Sequence, residues 1–120
     1  MEQHKSSEDY LEAILMIIER QGHCRSIDVA RQLGYSKPSV SNAMDKLLAG
    51  GFVEKSDDGN LNLTEAGMDT ASRTLEKHRF FSTLFTRLGV APDIAEADAC
   101  AIEHNISDVS YLALKKHFEQ

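Results

Sequence analysis

Apolar residues recur at helical spacing along most of the chain and at strand spacing in one short stretch. Tyr10, Leu11, Ile14, Leu15 and Ile18 fall on one face of a helix. Ser6 or Ser7, with acids just behind it, is the predicted N-cap, and Gly22 ends the helix. A second, short helix is predicted over residues 27–33, with Ser26 as N-cap and Gly34 as its stop. Tyr35-Ser36 makes a tight turn. Ser36 caps a third helix running to residue 48, with Pro38 in the first turn, where a missing N–H costs nothing. Residues 52–55 and 61–63 read as two strands flanking an Asp58-Gly59 turn. Thr64 then caps a long helix to about Leu88, Pro92 opens a fifth helix to about Ile106, and Ser107 caps a last one to about Phe118.

Two helices joined by a Gly-Tyr-Ser turn and followed by a hairpin form the pattern of a winged helix-turn-helix. Ile27, Val29, Ala30 and Leu33 can share one small core with Val40, Met44, Leu47 and Leu48. Lys37, Ser39, Ser41, Asn42, Asp45 and Lys46 are left outside it. Asn suits an adenine edge, and serine hydroxyls, lysines and a helix N-terminus suit phosphate. The candidate contacts to double-stranded DNA are therefore Lys37, Ser39, Ser41, Asn42 and Lys46, with Lys55 on the wing. Asp57 and Asp58 at the wing tip repel phosphate, which leaves Lys55 or Asn60 as the wing's contacts. A small domain of the same pattern could also serve protein contact alone. The predicted class is mainly α, with the DNA-binding part over 1–70 and a helical dimerisation and metal-binding segment over 71–120.

Net charge is −6 over 120 residues, which argues against a nucleic-acid partner until its distribution is considered. Residues 1–18 sum to −3, 19–56 to +2 and 57–120 to −5. Salt screens charge beyond ~8–10 Å, so a basic centre can meet DNA on an acidic protein. The basic excess is small. Two copies on a near-palindromic site would double the phosphate contacts, so a homodimer is expected. Ile102, Ile106, Tyr111, Leu112 and Phe118 are the apolar candidates for its surface. No apolar run reaches the ~18 residues of a membrane span, and the polar N-terminus is no export signal. Cys24 and Cys100 are accordingly expected to be reduced thiols of a cytoplasmic protein.

The acidic flanks carry the remaining chemistry. Cys100, Glu103 and His104 stand at i, i+3 and i+4 and share a helix face about 100° wide, with Glu96 on the same face. Thiolate, carboxylate and imidazole are metal-ligand types. A core thiol beside a surface Glu-His pair fits the same spacing. Asp9 and Glu12 form an i, i+3 pair on the first helix, where acids are usually solvated. His78 precedes Phe80-Phe81 and reads equally well as a half-buried histidine.

The chain resembles the diphtheria-toxin-repressor family of iron- and manganese-dependent regulators, and within it the manganese transport regulator branch. The likeness runs over residues 7–118 and rests on Glu8-Asp9-Tyr10-Leu11-Glu12, Asp28-Val29-Ala30, Pro38-Ser39-Val40 and Leu63-Thr64-Glu65-Ala66-Gly67. His78 and Cys100-Ala101-Ile102-Glu103-His104-Asn105-Ile106-Ser107 complete it. It implies Asp9, Glu12, His78, Glu103 and His104 as metal ligands. At the remaining ligand position the manganese branch has glutamate and the iron branch cysteine; here it is Cys100. The iron branch's ancillary site has glutamate and histidine where this chain has Ser82 and Glu96, which leaves Glu96 as the candidate ancillary ligand. With its last residue at Gln120 the chain is expected to lack that branch's SH3-like domain. Mn²⁺ or Fe²⁺ is the expected ion, with Zn²⁺ or Co²⁺ able to replace it in vitro. The expected activity is repression of metal-homeostasis genes with metal as corepressor. Two other classes are compatible with parts of the pattern: a winged-helix repressor sensing redox state or an organic effector through Cys100, and a metal-dependent hydrolase. The latter finds no His-Glu-x-x-His, phosphate loop or nucleophile triad here, and no enzyme is expected.

Overall fold

The computed structural model describes the backbone of residues 2–118 and side chains from Ser7 onward. Among the described residues, six helices and a two-stranded antiparallel hairpin follow in the order α1 (Glu2–Gln21), α2 (Ser26–Leu33), α3 (Lys37–Ala49), β1 (Val53–Lys55), β2 (Leu61–Leu63), α4 (Glu65–Arg87), α5 (Pro92–Glu103) and α6 (Asp108–Phe118). The chain divides into two compact units, one up to Ser72 and one from Arg73, and the division falls inside α4. No helix among the described residues is long and apolar enough to cross a membrane.

In the first unit α1 packs on α2, α3 and β2. Its buried stripe takes in Tyr10, Leu11, Ala13, Ile14, Leu15 and Ile17; Ile17 is fully buried, and Ile18, which helical spacing put on the apolar face, is half-buried. Val29, Val40, Met44, Leu47, Val53 and Leu61 close the core from the other elements. α1 begins at Glu2, so Ser7 lies inside the helix and is not its cap. Glu, Gln and Lys are strong helix formers and carry the helix past the serines. α2 likewise begins one residue earlier than expected: Arg25 is its N-cap, and Asp28 Oδ2 accepts from the Arg25 N–H at 2.9 Å. The acid three residues into the helix supplies the reciprocal half of a capping box, so the serine is not needed there.

Gly34 adopts φ 73°, and its N–H and that of Tyr35 both donate to the Ala30 carbonyl. This left-handed residue ends α2 and reverses the chain at little steric cost. Ser36 Oγ accepts from the Ser39 N–H at 3.3 Å and starts α3 as predicted. In the wing, Val53 pairs with Leu63 and Lys55 with Leu61. The Leu61 N–H donates to the Cys24 carbonyl at 2.7 Å, tying the wing to the entry of α2. Thr64 Oγ1 accepts from the Gly67 N–H at 3.1 Å and donates to the Gly51 carbonyl at 2.6 Å, so the cap of α4 also holds the exit of α3. A Cβ at Gly67 would stand 1.9 Å from the Phe52 carbonyl oxygen, so only glycine lets α4 start this close to the wing.

In the second unit α4, α5 and α6 enclose a small core of Phe81, Ala99 and Tyr111, with Phe80, Leu84, Phe85, Ile102, Ile106 and Leu114 packed around it. Glu76 Oε2 accepts from Tyr111 Oη at 2.7 Å and from Lys115 Nζ at 2.6 Å, and Lys77 pairs with Asp108 at 2.9 Å, which fixes α6 on α4. Tyr111 is therefore a core residue and not part of an outer apolar surface. Ile102 and Ile106 are half-buried in the same cluster. Leu112 and Phe118 are exposed as expected, together with Leu88, Ile94 and Val109. α5 ends at Glu103, three residues early. His104 is its C-cap, and Asn105 Nδ2 donates to the Ala101 carbonyl at 2.6 Å, drawing off an acceptor near the helix end.

Candidate metal centre and DNA-reading face

The α4 positions 71, 74, 75, 78, 81 and 85 recur at helical spacing. Ala71, Thr74, Leu75, His78 and Phe81 are all buried. His78 thus sits on the inward stripe of its helix. On α5 the inward positions are Ala95, Ala99 and Glu103, and the Glu103 side chain has 0% exposure. A carboxylate in that position needs charge or hydrogen-bond partners. His78 Nδ1 lies 2.6 Å from Glu103 Oε1, and His104 Nε2 lies 3.3 Å from Glu103 Oε2. The ligand atoms of Cys100, Glu103 and His104 lie within 4.8 Å of one another. His104 keeps its place beside Glu103 from the C-cap, although the helical ladder no longer holds it.

The other His78 nitrogen, Nε2, stands 2.5 Å from Glu96 Oε2, and Ser82 Oγ donates to Glu96 Oε1 at 3.0 Å. Burial raises the Glu96 pKa, but hydrogen bonds from His78 and Ser82 and the charge of His78 outweigh it. The carboxyl lies below the ordinary glutamate value. The second unit therefore brings His78, Cys100, Glu103, His104 and Glu96 together. Sulfur, imidazole nitrogen and carboxylate oxygen around a buried carboxylate fit a first-row divalent ion. In the first unit Asp9 is half-buried and Glu12 is 7% exposed, both on α1. Burial of Glu12 departs from the solvated face that an acid pair alone suggests.

Tyr10, between Asp9 and Leu11, meets Tyr35 edge to face with ring centroids 5.7 Å apart. Burial, with Tyr35 and Asp9 adding to it, raises the Tyr10 pKa. Through this pair α1 touches the turn that immediately precedes α3, a link that periodicity could not reveal. On α3, Val40, Met44 and Leu47 face inward, while Lys37, Ser39, Ser41, Asn42, Asp45 and Lys46 are all exposed. Lys55 is exposed at the end of β1. Asn60 is half-buried and turned into the wing, where its Nδ2 donates to Asp58 Oδ2 at 3.0 Å. It is thus a brace within the wing and not a free outward contact. Asp58 Oδ1 accepts from Ser56 Oγ at 2.6 Å and from the Asn60 N–H at 3.1 Å. These bonds hold the Asp58 carboxyl below the ordinary aspartate value. The Arg25 guanidinium donates to the Asp58 carbonyl. In the sequence Arg25 counts only as one of the basic residues of 19–56, because its wing partner lies 33 residues away and no local pattern marks the pair.

Two family models match end to end. Residues 3–61 match the iron-dependent repressor N-terminal DNA-binding domain, and residues 64–120 match the iron-dependent repressor metal-binding and dimerisation domain. The HTH-type transcriptional regulator MntR of Listeria monocytogenes serotype 4a is 32% identical over 102 residues, 85% of this chain and 72% of that protein. The chain belongs to the iron-dependent repressor family. The transcriptional regulator MntR of Escherichia coli O6:H1 is 34% identical over 101 residues, 84% of this chain and 65% of that protein. Among solved structures, the manganese regulator SloR superposes with a TM-score of 0.82 at 32% identity, covering 94% of this chain and 53% of its own. An IdeR from T. acidophilum gives a TM-score of 0.82 at 28% identity, covering 94% and 54%. The chain thus spans just under two thirds of the E. coli relative and about half of these solved chains.

Proposed function

We propose that this chain is a metal-dependent, DNA-binding transcriptional repressor of metal-ion homeostasis, acting as a homodimer on a near-palindromic operator with Mn²⁺ or Fe²⁺ as corepressor. The observation that carries it is the fully buried Glu103 carboxylate, with His78 and His104 against its two oxygens and Cys100 beside it. Asp9 and Glu12 join His78, Cys100, Glu103 and His104 as ligands in this reading. The carboxylates suit Mn²⁺ and Fe²⁺, while the Cys100 thiolate shifts preference toward Fe²⁺, Co²⁺ or Zn²⁺. Relatives named as manganese regulators support Mn²⁺.

Asp9, Glu12 and Glu103 carry like charge and repel one another when nothing compensates them. A bound divalent cation supplies the counter-charge. α1 is the responding element. Its buried stripe grips α2, α3 and β2, and Tyr10 touches Tyr35 at the mouth of α3. Fixing Asp9 and Glu12 therefore fixes the pose of α3, with Ser39, Ser41 and Asn42 toward base edges and Lys37, Lys46 and Lys55 toward phosphates. Metal raises the population of the DNA-competent pose by its differential affinity for it. Leu88, Ile94, Val109, Leu112 and Phe118, all exposed in the second unit, supply apolar surface for a second copy.

An anaerobic titration of operator affinity against Mn²⁺ and Fe²⁺ tests the proposal. Either ion should tighten binding by at least tenfold, and a chelator should reverse it. Equal operator affinity with and without both ions would refute the switch.

A further inference from the structure

We propose that Glu96 is a positioning residue for the metal centre: it holds the His78 ring through Nε2 so that Nδ1 is presented on the side where Glu103, His104 and Cys100 gather. The inference rests on the reading of His78 as a ligand given above. The two ring nitrogens face opposite ways. Nδ1 meets the fully buried Glu103, whereas Nε2 meets Glu96, whose side chain is 57% exposed. An imidazole that binds a cation through one nitrogen keeps its proton on the other. The partner of that N–H sets tautomer and ring plane and raises the ligand's basicity. Glu96 occupies that partner's place.

Glu96 is itself anchored. Its second oxygen accepts from Ser82 Oγ at 3.0 Å. Ser82 lies four residues beyond His78, so one face of α4 supplies both the ring and the hydroxyl that steadies the carboxylate. With Oε1 taken by Ser82 and Oε2 by His78, both oxygens of Glu96 are engaged inside the second unit. Ser82 and Glu96 are thus a hydroxyl and a carboxylate that bond to each other. Glu96 therefore serves the ring of His78 in place of coordinating an ancillary ion.

Mn²⁺ binding to the full chain, measured by titration calorimetry, tests this. Glu96→Ala should weaken Mn²⁺ binding about 10- to 100-fold with the number of ions per chain unchanged. Glu96→Gln, whose amide oxygen still accepts from Nε2–H, should recover most of the affinity. Ser82→Ala should show a smaller loss in the same direction. In a His78→Ala background, Glu96→Ala should add nothing further. That result separates action through the ring from general damage to α5. Loss of one ion per chain in Glu96→Ala would make Glu96 a ligand and overturn the proposal. Unchanged or tighter Mn²⁺ binding would make it a competitor for the ring, or a bystander, and would also overturn it. Failure of the wild-type chain to bind Mn²⁺, Fe²⁺ or Co²⁺ would instead refute the metal-dependent reading itself and this one with it.

Discussion

The two halves of this molecule bury different things. The first unit has a continuous aliphatic core in which Leu11, Ile14, Ile17, Val29 and Val40 are essentially inaccessible, and the polar side chains of α3 and the wing stand outside it. The second unit has a small aromatic core and buries His78 and Glu103 beside it. Apolar burial stabilises by ~25 cal/mol per Å² and needs no ion to do so, whereas a buried carboxylate with imidazoles is a demanding arrangement that a cation can relieve. The first unit thus owes its shape to apolar packing, and the second carries the buried charged cluster on which the proposed metal response rests.

The two cysteines give the sharpest version of that contrast. Cys24 is fully inaccessible in the first unit, and burial, then Asp28, push its thiol up from 9.0 to about 12 against the pull of Arg20. Its thiolate is then about a thousandfold scarcer than at the ordinary value. Iodoacetamide at pH 8 should label half-buried Cys100 and spare Cys24 until the chain unfolds, with mass spectrometry as the readout. Mn²⁺ or Co²⁺ should protect Cys100. Equal labelling of both would erase the distinction.

Ile14→Ala should cost ~2–5 kcal/mol in chemical denaturation, of similar size with and without Mn²⁺, because it opens a cavity among the apolar side chains of the first unit. The metal term should come next. At a free Mn²⁺ concentration of 100 Kd the chain should gain about 2.7 kcal/mol. Glu103→Gln, isosteric and still able to accept from His78, should abolish that gain while leaving the metal-free stability nearly unchanged. If Ile14→Ala removed the metal response and Glu103→Gln kept it, the assignment of roles would be reversed. The smallest effects belong to the DNA-reading face. Lys46→Ala and Lys55→Ala should each reduce the slope of log affinity against log salt by about 0.9, without altering base preference. A slope unchanged by both would move the phosphate contacts elsewhere on the first unit.

Much of this was written in local sequence. The helical period of Tyr10, Leu11, Ile14 and Leu15, the Gly34-Tyr35-Ser36 turn and the Thr64 cap each depend on neighbours within a few residues, where propensity and capping suffice. The spacing of Cys100, Glu103 and His104 likewise put three ligand types on one stripe. The end of α5 at Glu103 and the cap at Arg25 were not legible, because each turns on which of several nearby side chains captures an orphan backbone group. Tertiary packing alone decided that Tyr111 belongs to the core, since its hydroxyl finds Glu76 on another helix. It alone decided that Glu103 is buried, that His78 lies between Glu103 and Glu96, and that Tyr10 meets Tyr35. Periodicity ranks residues by which face they occupy. Which two faces meet is a property of the whole chain, and charge and ligation depend on that meeting.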